Sequence, residues 1–158
     1  MIEIVRECTP EETARQVRYL ELTPVRGISA LLKTGQCKLS IGIERCIGDL
    51  GALRTEFSTL GLLQSRDLTG EDKFRLRDIV PLLRTNPGNE DCDKMLAKVQ
   101  QWIEKDARGE IDYNSTVIFE AGEPVLKDGN HRTLAFFERR KHVEEMIVFP
   151  VFVARPIC

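Results

Sequence analysis

Histidine is scarce in this chain, two residues in 158, and tryptophan occurs once. His131 and His142 stand about three helical turns apart if one helix spans them, roughly 16 Å, so they cannot share a zinc ion. An HNH-type nuclease would need more histidines than this. The cysteines number five, at Cys8, Cys37, Cys46, Cys92 and Cys158, scattered and without a C-x-x-C pair. That excludes the usual start of a zinc or dithiol redox site and reads as reduced thiols. No apolar run approaches the length that crosses a bilayer, and the charges within the first seven residues leave no room for a secretory h-region. A soluble, cytoplasmic protein is expected. Neither sign of charge is in excess: 23 Lys and Arg face 25 Asp and Glu, for a net charge of -2. No global attraction to polyanions follows, and any such contact must come from a local patch. Internal repeats and low-complexity tracts are also missing.

What remains is an ordinary globular composition, 42% hydrophobic and 30% charged, long enough to bury a core in one compact domain. "IEIV" at 2–5 reads as a short strand. Thr9, Pro10 and Glu12 then form a capping box that starts a helix running to about Leu20. Thr23-Pro24 opens a second helix, with Val25, Ile28, Leu31 and Leu32 on one face and Gly35 at its end. From Ile43 to Leu63 apolar residues recur every three or four positions (Ile43, Ile47, Leu50, Leu53, Phe57, Leu60), which predicts a helix despite Gly48, Gly51 and Gly61. Thr69 and Asp72 cap a further helix carrying Phe74, Ile79 and Val80, which Pro81 should kink or end, leaving "LLRTNPGN" as a loop.

The clearest helix lies between Glu90 and Arg108, where Met95, Leu96, Val99, Trp102 and Ile103 form one stripe and acids crowd the first turn. "STVIFE" and "EPVLK" around "AGEP" predict a hairpin. A helix with Leu134, Ala135, Phe136 and Phe137 on its apolar side follows and ends in Arg139, Arg140 and Lys141. "MIVFPVFVA" is a last buried strand, in which Pro150 suggests an edge position or a bulge.

Between the hairpin and that helix stands "KDGNHR", Lys127 to Arg132. A strand, a glycine turn and a helix start place the backbone amides of Asn130, His131 and Arg132 at a positive dipole end, with no side chain at Gly129 in the way. Arg132 can add a bidentate phosphate contact, and Lys127 and His131 can add charge or hydrogen bonds. Asp128 would repel a bare phosphate, but it can cap the helix or help to hold magnesium against phosphates. The plainer reading is a capped Asp-Gly turn with a surface histidine and a salt-bridged arginine.

"VLKDGNHRTLAFFERRK", flanked by "STVIFEAGEP" and "IVFPVFVA", resembles the core of the ParB/sulfiredoxin superfamily, over roughly the last half of the chain. The resemblance implies an α+β (or α/β) fold: a small mixed sheet with helices over residues 75–158, elaborated by a helical region over 1–74. It also implies a site for the phosphates of ATP or another nucleotide with magnesium. In it Gly129 matches the turn glycine, His131 and Arg132 the phosphate-contacting pair, and Asp128 the preceding acid, with the Thr133 hydroxyl nearby. Arg84 stands near the place of a strand-end arginine in other members, without the proline that accompanies it there.

Sulfiredoxins carry a reactive cysteine where this chain has Asn130, which cannot act as a thiolate, so sulfinic acid reduction is not expected. Complete partition proteins continue into a helix-turn-helix region; with sixteen residues after His142, a complete partition protein is not expected. Members of the superfamily that hydrolyse nucleotides, transfer phosphoryl groups or cut nucleic acid need a carboxylate as base or metal ligand. Glu120 is the candidate, with His131 as its catalytic partner; Glu123 and Glu44 are alternatives. The expected function is nucleotide binding with hydrolysis or phosphoryl transfer. The alternative is a non-catalytic regulatory or DNA-associated module, with Arg139, Arg140 and Lys141 touching nucleic acid.

Overall fold

The structure is a computed structural model; it describes residues 1–22, 27–58, 73–85, 87–113 and 115–157. Among these, six helices accompany one seven-stranded mixed sheet, an α+β fold. In chain order the elements are β1 (Glu3–Glu7), α1 (Pro10–Glu21), α2 (Ile28–Lys33), β2 (Cys37–Glu44), α3 (Ile47–Ala52), β3 (Arg54–Ser58), β4 (Lys73–Arg75), α4 (Leu76–Arg84), α5 (Glu90–Ala107), β5 (Val117–Ala121), β6 (Glu123–Asp128), α6 (Asn130–Arg140) and β7 (Phe149–Pro156). Across the sheet the strands run β1-β2-β7-β5-β6-β3-β4. The β7–β5 and β6–β3 pairs are parallel and the others antiparallel.

Strand alternation divides the apolar residues between two cores. Val117 and Ala154 face Val17 and Leu20 of α1 and Ile28 and Leu32 of α2. Ile118, Leu126, Val151 and Val153 face the helices α3 to α6 through Leu50, Ile79, Val99 and Leu134. The sheet is thus covered on both faces. No described helix is long and apolar enough to cross a membrane.

Several expected elements are present as read. Thr9 caps α1 with its side chain accepting from the Glu12 amide, and the Glu12 carboxylate accepts from the Thr9 amide. The long helix α5 is capped by Asn89, and β5 and β6 form the hairpin around Gly122. Thr23 to Arg26, Leu60 to Leu63, Thr69 and Asp72 lie outside the described residues.

The helix expected over 43–63 is replaced, as far as residue 58, by the end of β2, the short α3 and β3. Ile47, Leu50, Leu53 and Phe57 do share a core, but they reach it from two elements, α3 with the residue that ends it and β3. Gly51 makes that arrangement possible: a Cβ there would lie 2.6 Å from the ring of Phe137. Phe74 belongs to β4 rather than to a helix.

Pro81 does not end its helix, since α4 continues to Arg84. Only the carbonyl of Arg77 loses a helical donor, and the burial of Leu83 beyond it offsets about 2 kcal/mol of that cost. Nor is β7 an edge strand, because it lies between β2 and β5. The Phe152 amide donates to the Thr116 carbonyl, so by alternation residue 150 turns its backbone nitrogen to the same side. There it lies beyond the start of β5, where no ladder donor is needed.

Candidate functional site

The turn between β6 and α6 is built from both of its neighbours in the sheet. The pairing of β5 with β6 steps from Ile118–Leu126 to Val117–Asp128, which leaves Lys127 as an extra residue. Such a bulge re-aims the side chains that follow it. Asp128 consequently shares the side of Val117, where the Gly129 amide and Tyr19 of α1 both favour its charged form. On the other flank β3 runs parallel to β6 with Arg54 opposite Val125, which carries Glu56 and Phe57 alongside the turn.

Gly129 is the N-cap of α6, in the left-handed region with φ of 84°, and no side chain caps the helix. The first helical bond runs from the Thr133 amide to the Gly129 carbonyl at 2.9 Å. The amides of Asn130, His131 and Arg132 precede it and have no i−4 carbonyl within the helix. The Thr133 hydroxyl also donates to the Gly129 carbonyl at 2.7 Å, so it is turned back into the helix rather than outwards.

Arg132 is folded back onto the turn and its approach. Its Nη1 donates to Ser115 Oγ at 2.6 Å, and its Nη2 stands 3.5 Å from Asp128 Oδ2. The guanidinium ties the α5–β5 connection to the start of α6. The open space expected over Gly129 is therefore occupied by arginine. Lys127 is paired with Glu56 at 2.6 Å, and the Asn130 side-chain oxygen accepts from the Glu56 amide at 3.2 Å.

His131 packs edge-on against Phe57, with ring centroids 5.4 Å apart. Burial, with a smaller contribution from Lys98, pushes its pKa down to about 4. That shift favours the neutral imidazole at pH 7, which can offer a hydrogen bond. Burial raises the pKa of Asp128 above the ordinary carboxylate value, although Arg132, the Gly129 amide and Tyr19 pull it the other way.

The remaining candidates lie elsewhere. Glu120 pairs with Pro124 at the far end of the hairpin and binds Arg155 at 3.0 Å. It stands three positions along β5 from Val117, which lies opposite Asp128, about 10 Å away, so the structure does not bring it to the turn. Glu123 pairs with Arg75 at 2.9 Å at that same far end. Glu44 is buried beyond the other side of β7, accepting from the amides of Arg45 and Cys46. Arg84 is exposed at the end of α4. Among the described residues no group of three His, Cys, Asp or Glu side chains could hold a metal ion.

The basic end of α6 is committed internally. Arg139 and Arg140 both donate to Asp106 Oδ2, at 2.7 and 2.9 Å, Tyr113 donates to Oδ1, and Lys141 pairs with Glu138. Burial pushes the Asp106 carboxyl up, but these three donors outweigh it and hold its pKa below the ordinary value.

Glu56, Phe57, Ser115 and Tyr19 are the members of the turn's surroundings that the sequence did not announce. Only the β3–β6 pairing, the bulge and the packing of α1 bring them there. Comparison of the chain with family models, with curated proteins and with solved structures gives no match.

Proposed function

We propose that this protein binds the phosphate groups of a nucleotide at the turn from Lys127 to Thr133. The observation that carries the reading is the start of α6: an eleven-residue helix whose N-cap is a glycine without a side-chain cap, beside Lys127 and Asn130. Its first amides and dipole favour an anion. The amides of Asn130, His131 and Arg132 would take the phosphate oxygens. Lys127 supplies charge, the neutral His131 a hydrogen bond, and Arg132 holds the turn in shape.

Magnesium would enter as the counter-ion of the nucleotide. A carboxylate has about four lone-pair sites, and Asp128 already faces Gly129, Tyr19 and Arg132. It fits as a single ligand, with phosphate and water supplying the other positions that magnesium requires.

Hydrolysis or phosphoryl transfer needs a positioned base as well. The distance of Glu120 from the turn favours the non-catalytic form of the proposal, a nucleotide-binding regulatory module. The internal pairing of Arg139, Arg140 and Lys141 favours a small ligand over nucleic acid.

Calorimetric titration with ATP, ADP and CTP, with and without magnesium, tests the reading. Saturable binding that Gly129→Ala weakens supports it, and assay of phosphate release then separates binding from turnover. Absence of heat with all three nucleotides would return the turn to a purely structural role.

A further inference from the structure

We propose that Glu56 is a built-in competitor at this turn: its carboxylate holds Lys127 in the absence of ligand and must release it when a phosphate chain binds. The inference rests on the nucleotide reading above and concerns how that site is regulated.

Two cations, Lys127 and Arg132, stand beside the amides of α6, and two acids, Glu56 and Asp128, are paired with them. The formal charge of these four is zero, while Lys98 acts on His131 from outside the two pairs. An incoming anion therefore gains little from the cations until one of these pairs opens. The two pairs are not equivalent. Arg132 and Asp128 are 14% and 16% exposed, and Arg132 is also anchored by Ser115 Oγ. Lys127 and Glu56 are 25% and 38% exposed.

The more exposed of two ion pairs contributes less and exchanges more readily. Lys127 is also the bulge residue of β6, on a flexible stem with a single charge at its end. It is the cation that can change partner while Arg132 keeps the turn intact.

Glu56 is held in place for this role through its backbone, whose amide donates to the side chain of Asn130, the first residue of α6. The consequence is discrimination by charge. A singly charged anion competes poorly with the Glu56 carboxylate, whereas a di- or triphosphate brings more charge to Lys127 and to the helix start together.

The experiment is titration of the full chain with ATP at fixed ionic strength, using the wild type, Glu56→Gln, Lys127→Gln and the double variant, each checked for cooperative thermal unfolding. Glu56→Gln is expected to tighten binding about three- to tenfold, and the gain is expected to shrink when Lys127 is also replaced. Glu56→Ala should show the same direction. Wild-type binding that is unchanged or weakened by both Glu56 replacements overturns the competitor role while leaving the site standing. Failure of the wild type and of every Glu56 variant to bind ATP overturns the site itself, and the competitor role with it.

Discussion

The guanidinium of Arg132 occupies the place where residue 129 would carry its side chain: a Cβ on Gly129 would lie 2.7 Å from Arg132 Nη2 and 3.2 Å from Thr116 Oγ1. The glycine is required twice over, by its positive φ and by the arginine folded against it. Gly129→Ala is expected to lower the unfolding free energy by about 1–3 kcal/mol in urea titration and to weaken ATP binding as Arg132 is displaced.

Asp106 is the buried acid on which Tyr113, Arg139 and Arg140 converge. Removing it leaves two guanidinium groups and a hydroxyl without their acceptor. Asp106→Ala should cost about 2–4 kcal/mol of stability, and Tyr113→Phe about 1 kcal/mol. If Asp106→Ala left the thermal midpoint unchanged, the two arginines would be free surface cations after all.

The pH dependence of stability follows from His131. Its folded pKa, about 4, lies below the ordinary value near 6.5, so between those limits the unfolded chain binds the extra proton. Stability is therefore present in full above about pH 6.5 and is lost as pH falls towards 4. Between pH 7 and pH 5 the loss should be about 2 kcal/mol. His131→Gln should flatten that slope. Asp128, whose pKa is raised, works in the opposite direction at lower pH, because its folded form binds the proton more readily.

Glu120 provides the negative control. Its partner is Arg155, at the other end of the hairpin from Asp128. Glu120→Gln is expected to leave ATP affinity within about twofold and to cost no more than about 1 kcal/mol of stability. A tenfold loss of affinity in calorimetry would place this carboxylate in the site.

The sequence was most legible where the chemistry is local. The capping box of Thr9 and Glu12, the stripe along α5, the Gly122 hairpin and the strand-turn-helix around Gly129 all depend on neighbours a few residues apart. It failed where distant contacts decide. Ile47, Leu50, Leu53 and Phe57 mimic a helical stripe because they enter one core from α3, its end and β3, and the three-residue β4 carries no periodicity to recognise. Around the turn, the strand, the glycine and the helix start are legible in the order of Lys127 to Arg132. The direction of Arg132 depends on Ser115 and Asp128, the neutrality of His131 on its burial against Phe57, and the presence of Glu56 on a parallel strand pairing across 71 residues. None of these is written in local spacing.

The most direct test is the amide spectrum of isotopically labelled protein during titration with ATP. The amides of Asn130, His131 and Arg132 should shift furthest and saturate together, with Glu56 and Lys127 following, while the amides around Glu120 and Asp106 stay in place. Shifts centred on Arg139 to Lys141, or none at the start of α6, would contradict a phosphate site at this turn.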